Sequence, residues 1–147
     1  MPPLAFNKRA GYDYELLEKF EGGLALTGPE VKSAKAGHVQ FKGSFLNIRN
    51  GELWIKNLHI SKYAPAGTQE TYDPIRDRRV LIHKREINRL VGKTQADGLT
   101  LVPISVYVRR HLLKIEFALA RGKRQFEKRA TIRKREVDRE LRDRMKE

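Results

Sequence analysis

The 147-residue sequence contains no cysteine. Disulfide frameworks, thiol nucleophiles and cysteine-ligated zinc are therefore excluded. No apolar run approaches the ~20 residues of a membrane-spanning helix. The opening Met1-Pro2-Pro3-Leu4-Ala5-Phe6 has no basic stretch leading into an apolar one, so no secretory leader is expected there. A cytoplasmic, reducing setting is the expectation. Acidic residues are few: 18 Asp plus Glu face 31 Lys plus Arg, a formal net charge of +13. An excess this large opposes compaction and attracts polyanions. Nucleic acid is the leading partner class, with a supercharged soluble domain or an anionic membrane surface as alternatives. Apolar residues make up 39%, below the globular norm, which supports one modest core and not two. The length fits one domain with an appendage.

Catalytic and metal patterns are also scarce. His38, His59, His83 and His111 are scattered, with no His-x-Glu or His-Glu-x-x-His pattern, so no metal is expected. Gly92-Lys93-Thr94 resembles the end of a phosphate-binding loop, but Ile87 stands where its first glycine must be. Gly-x-Ser-x-Gly is absent. No cofactor and no enzymatic activity are expected.

Charge and core-forming residues divide the chain near Arg121-Gly122. The last 26 residues hold eleven basic and six acidic side chains, a net +5, against +8 for the rest. In this tail Phe126, Ala130, Val137, Leu141 and Met145 fall near a helical period as one thin apolar seam. An isolated helix of this kind is marginal in water. Residues 1–121 are thus expected to form the folded body. Residues 122–147 are expected to be a basic tail, disordered when free and helical on a polyanion. The alternative is a terminal helix docked on the core.

The body reads mostly as strands. Leu24 to Gly28 is a short strand ending at glycine. Pro29 to Gly37 is a helix of about two turns, with Thr27 or Gly28 as cap and Gly37 as stop. Ser44 to Arg49 and Glu52 to Ile60 flank Asn50-Gly51, the strongest short hairpin signal. Ser61 to Asp73 has loop composition, and Lys84 to Val91 has helical spacing with Gly92 as stop. Thr100, Val102, Ile104, Val106 and Val108 share a face at period two, as do Leu113, Ile115, Phe117 and Leu119. Pro103 hints at a free edge or a bulge. Asp13 to Phe20 fits a helix slightly better than a strand. Five or six short strands and two short helices without regular alternation point to a mainly β fold. A small antiparallel, closed or nearly closed barrel fits, and such barrels commonly bind RNA.

Basic and aromatic side chains supply RNA-binding chemistry: phosphate contacts, and rings that stack on unpaired bases. Stacking candidates are Tyr12, Tyr14, Tyr63, Tyr72 and Phe126, with core packing the alternative for Tyr14. Arg76-Asp77-Arg78-Arg79 forms either a basic loop beside the barrel rim or a solvated charge run.

Several stretches occur together in order: Asn7-Lys8-Arg9-Ala10, Phe20-Glu21-Gly22-Gly23, Leu26-Thr27-Gly28-Pro29-Glu30-Val31-Lys32-Ser33 and Lys35-Ala36-Gly37. They continue with His83-Lys84-Arg85-Glu86-Ile87, Gly98-Leu99-Thr100-Leu101-Val102-Pro103, and Leu119 through Arg129. No single stretch is specific, but the ordered set, over nearly the whole chain, resembles the small protein B (SmpB) family of bacterial trans-translation. The resemblance implies an oligonucleotide-binding (OB)-fold-like barrel with two or three short flanking helices, and strand rather than helix over Asp13 to Phe20. It implies a non-catalytic, cytoplasmic adaptor, monomeric and one-to-one with tmRNA. Such an adaptor binds the tRNA-like domain of tmRNA and delivers it to stalled ribosomes, its tail entering the decoding centre and empty mRNA channel of the small subunit.

The resemblance also implies site residues. Asn7, Glu21 and Leu81 match positions needed for tmRNA binding. Glu21 could accept hydrogen bonds from base amino groups or act structurally near a Gly22-Gly23 turn. Leu81 could wedge against a base or belong to the barrel core. Lys8, Arg9, Tyr12, Lys32, Lys35, Lys84, Arg85 and Lys114 are further RNA-binding candidates. In the tail Lys123, Arg124, Phe126, Glu127, Lys128, Arg129, Arg133, Lys134 and Arg135 would contact the ribosome. Phe126 stands where the family commonly has Tyr or His, Glu127 where it has Asp, and Lys35 where Arg is frequent. Phe126 keeps a stacking face without a polar donor, and Lys35 keeps charge without bidentate geometry. The competing classes are a structural ribosomal protein and a small OB-fold ribonuclease.

Overall fold

The computed structural model describes residues 3–63, 71–123 and 133–142. Nine strands and three helices lie among them, with residues 133–142 also helical. In chain order they are β1 (Ala5–Phe6), α1 (Ala10–Asp13), β2 (Tyr14–Leu24), α2 (Gly28–Lys35), β3 (Val39–Gln40) and β4 (Phe45–Arg49). Then come β5 (Glu52–Lys56), β6 (His59–Ile60), β7 (Arg78–Leu81), α3 (Lys84–Asp97), β8 (Thr100–Arg109) and β9 (Leu112–Gly122). The ladder runs β8-β4-β5-β7-β2-β9 and returns to β8, so six antiparallel strands close on themselves. This is the mainly β, OB-fold-like barrel expected, its seam between β4 and β8 closed by the pair Leu46–Leu101. β1 pairs with β8 beside the ring, and β3 pairs with β6 in a separate two-stranded sheet.

Leu53, Ile55, Val80, Val106, Ile115, Phe117 and Leu119 fill the barrel at 0–2% exposure. Each such side chain contributes about 1.5–3 kcal/mol by leaving water. The β4–β5 hairpin turns at Asn50-Gly51, both at positive φ. Its second arm is shorter than Glu52 to Ile60, because Asn57 at φ 60° breaks it before β6.

The face expected along β8 is split. Pairing of Pro103 with Phe117 and of Ser105 with Glu116 leaves Ile104 as an extra residue, a bulge. Leu101 faces the core before it and Val106 after it, while Val102 and Ile104 lie outside that core cluster. Period two therefore held on β9 but slipped by one residue on β8. Asp13 to Phe20 is strand from Tyr14 onward, as the family resemblance implied and helical spacing did not. That stretch pairs along β9, and the ladder overrides the local period.

Two element ends also differ from expectation. β2 stops at Leu24, and residues 25–27 lead into α2 rather than forming a strand. α2 starts on a capping box: the Thr27 hydroxyl accepts from the Glu30 amide, and the Thr27 amide donates to Glu30 Oε1 at 2.9 Å. α3 continues through Gly92 to Asp97, because Gly98, at φ 63°, supplies the left-handed cap.

Candidate nucleic-acid interface

The register of four strands brings one row of residues to the outside of the barrel. Leu81 on β7 pairs with Gly23 on β2, Gly23 with Lys114 on β9, and Lys114 with Tyr107 on β8. Leu81 is 51% exposed, so it belongs to this outer face and not to the core. Gly22 and Gly23 lie within β2 and do not form a turn. A Cβ on Gly22 would stand 2.6 Å from Val80 Cγ1 and 2.9 Å from Ile82 Cγ2, too close to be accommodated without a shift, so the Val80 and Ile82 side chains occupy the space a side chain at 22 would need. Gly23, having no side chain, leaves Leu81 uncovered.

Glu21 is two residues along β2, on the same outer face. It accepts hydrogen bonds from the Tyr107 hydroxyl and, at 3.2 Å to both oxygens, from Arg109. The Tyr107 hydrogen bond, opposed by partial desolvation and aided by the Arg109 and Lys114 charges, holds the Glu21 carboxyl below its ordinary range. Burial and the same carboxylate push the Tyr107 hydroxyl well above the usual phenol range. The result is a fixed, ionised acceptor on the same outer face as an exposed apolar side chain. That pair can read amino groups and contact a base face. Tyr107 and Arg109 were not recognisable as partners of Glu21, being 86 and 88 residues away.

Other expected residues lie elsewhere on the barrel. Asn7 is half-buried: its Nδ2 donates to the Pro103 carbonyl at 2.8 Å and its backbone amide to the Ile104 carbonyl at 2.7 Å. It thus ties the N-terminal segment to the β8 bulge. Lys8 and Arg9 are exposed and, with Lys42, line a groove that also includes Tyr14 and Phe41. Arg9 stacks over the Tyr12 ring at 4.7 Å and pairs with Asp13. Lys32 and Lys35 are exposed on α2, with Lys32 5.7 Å over Tyr63. Lys84 and Arg85 are exposed in the first turn of α3. Lys123 donates from Nζ to the Gly11 carbonyl at 2.8 Å, which anchors the start of the tail to α1. Arg133, Lys134 and Arg135 are helical and exposed, as are Val137 and Leu141. Arg124, Phe126, Glu127, Lys128 and Arg129 lie outside the described residues.

The Arg76–Arg79 stretch is neither of the two things expected of it. Arg78 is fully buried and donates to Glu30 Oε2 at 2.8 Å, to the Leu58 carbonyl and to the Tyr72 hydroxyl at 3.1 Å. Arg76 also pairs with Glu30. Burial raises the Glu30 pKa, but hydrogen bonds from Arg76, the Thr27 amide and Arg78 outweigh it and bring it to about 2. Arg76 is half-buried, and Arg79 is exposed, 3.7 Å from Glu52. Tyr72, bonded to Glu30 and to the Ile60 carbonyl at 2.7 Å, is likewise part of this buried cluster and not a stacking platform.

Among the described residues no helix is long and apolar enough to cross a membrane, and no three His, Cys, Asp or Glu side chains group as a metal site. Comparison with known proteins decides the family. The family described as "SmpB protein" matches residues 4–147. The chain belongs to the SmpB family. An SsrA-binding protein of Carboxydothermus hydrogenoformans is 49% identical over 138 residues, 94% of this chain and 92% of that protein. One from Coprothermobacter proteolyticus is 46% identical over 143 residues, covering 97% and 95%. A solved chain described as "tmRNA-SmpB: a journey to the center of the bacterial ribosome" superposes with a TM-score of 0.69 at 47% identity, covering 84% of this chain and 87% of that one.

Proposed function

We propose that this SmpB-family chain is a non-catalytic RNA-binding adaptor. It binds the tRNA-like domain of tmRNA and delivers it to stalled ribosomes for trans-translation. The observation that carries the reading is the match over residues 4–147, together with curated relatives called SsrA-binding protein that align over nearly their whole length. The physics of the surface supports it. The outer row from Leu81 to Tyr107, with ionised Glu21, offers an apolar contact and a fixed acceptor. Exposed Lys8, Arg9, Lys32, Lys35, Lys84 and Arg85 offer phosphate contacts, whose binding releases counterions. Asn7 acts in this reading by setting the N-terminal segment against β8.

The tail has the separate role of entering the decoding centre and the empty mRNA channel as a helix. Its helical residues 133–142 have no buried side chain, so the basic residues Arg133, Lys134 and Arg135 stay available for ribosomal RNA. Arg124, Phe126, Glu127, Lys128 and Arg129 belong to the same role. One copy of the chain serves one tmRNA, in the cytoplasm.

Truncation before Gly122 tests the division of labour. The shortened protein is expected to bind the tRNA-like domain within a few-fold of the full chain while tagging on stalled ribosomes is lost. Loss of both together would contradict it.

A further inference from the structure

A cleft of about 530 Å³ opens beside Glu21, between β1 and the β8–β9 hairpin. This is within the range of about 300–1,000 Å³ usual for small-ligand sites. Phe6, Tyr107, Val108, Arg109, Arg110 and Glu116 are among its walls. Phe6 is a large apolar ring left 56% exposed on a two-residue strand. Tyr107 and Arg109 are the residues that hold Glu21, so the cleft is continuous with the outer face already described. Arg109 is committed to that carboxylate, whereas Arg110 forms no ion pair among the described residues.

The hairpin tip carries a second signal. Arg110 and His111 both have positive φ, 52° and 66°, where a two-residue turn ordinarily has Asn or Gly. The β4–β5 hairpin, by contrast, has Asn50-Gly51 at the same two places. A basic side chain is thus kept at a backbone position that disfavours it, at the mouth of the cleft.

We propose that this cleft receives one unstacked nucleobase of the bound RNA, stacked on Phe6, with Arg110 on the neighbouring phosphate. The Glu116 carboxylate selects a base that presents amine donors, guanine best because its N1–H and N2 amino group match two carboxylate oxygens. Uracil offers one N–H between two carbonyls and is disfavoured. This inference rests on the RNA-binding reading above.

The test is titration of full-length chain with the tRNA-like domain. Phe6→Ala is expected to weaken binding about tenfold, and Phe6→Tyr to restore it. Arg110→Ala is expected to lower the slope of log affinity against log salt by about one. Thermal midpoints should stay at the wild-type value, since both side chains are exposed. Replacing unpaired nucleotides of the RNA one at a time by abasic sites should reveal one position at which the Phe6→Ala penalty disappears, and uridine there should cost nearly as much. Free GMP forms the other arm. If GMP binds in a Phe6-dependent way while Phe6→Ala leaves RNA affinity unchanged, the cleft is a free-nucleotide site and the proposal fails. Wild-type binding with unaffected Phe6→Ala overturns this inference alone; a wild-type chain that ignores the RNA overturns both.

Discussion

Two carboxylates of this chain, one on helix α2 and one on strand β2, are held by similar partners and have opposite consequences. Glu30 is bound by Arg76, Arg78 and Tyr72 with its side chain wholly buried; Glu21 is bound by Arg109 and Tyr107 on the outside. Buried, such a cluster is a structural necessity, since removing one charge strands the other in a poorly solvating interior. Exposed, it adds little stability, because water competes for both partners. What it adds is position: an ionised acceptor held in a fixed orientation on the outer face that also carries Leu81. The same residue types therefore serve the fold at one place and, in the proposed reading, recognition at the other, and burial is what separates them.

The largest expected effect falls on the buried cluster. Arg78→Ala should cost about 3–5 kcal/mol in chemical denaturation, enough to unfold much of a small barrel. Glu30 makes the same point through pH. Its folded pKa of about 2 lies below the ordinary value of 4.5, so its contribution is complete above the ordinary value and is lost as pH falls through about 2. The loss should be on the order of 3 kcal/mol between pH 5 and pH 2, and Glu30→Gln should flatten that part of a stability-against-pH curve. Glu21→Gln should reverse the pattern, with stability within about 1 kcal/mol of wild type but affinity for the tRNA-like domain down about tenfold. If Glu21→Gln destabilises as much as Arg78→Ala, the distinction between the two clusters fails. The smallest effect belongs to the hairpins. Replacing Arg110-His111 by Asn-Gly should raise stability by about 1 kcal/mol, by relieving positive φ at ordinary residues, while weakening RNA binding. A stability gain with unchanged binding would make the turn's composition irrelevant to recognition.

Local rules were enough where the structure is local. Asn50-Gly51, a helix start capped at Thr27 or Gly28 and the alternation on β9 were legible because each is decided by neighbours in sequence; that Glu30 closes a capping box with Thr27 is seen only in the structure. Pro103 marked the bulge, but not that Val102 and Ile104 would leave the core face. Gly92 read as a helix stop because spacing alone ranks the first glycine highest, whereas the chain bends at Gly98. Arg76 to Arg79 could not be read from sequence: nothing nearby announces that Glu30, 46 and 48 residues earlier, binds two of the three arginines and draws Arg78 into the interior. The candidate site divides the same way. Glu21, Leu81 and Lys114 were named through a family pattern. Their shared outer face, and the partners Tyr107 and Arg109, follow only from pairing across β7, β2, β9 and β8.

The central claim is that the outward row on those four strands is the RNA-reading face. Its most direct test is Leu81→Ser, measured for thermal midpoint and for affinity toward the tRNA-like domain on one preparation. The expected result is a midpoint close to wild type with binding at least about tenfold weaker. A large fall in the midpoint, or unchanged binding, would contradict it.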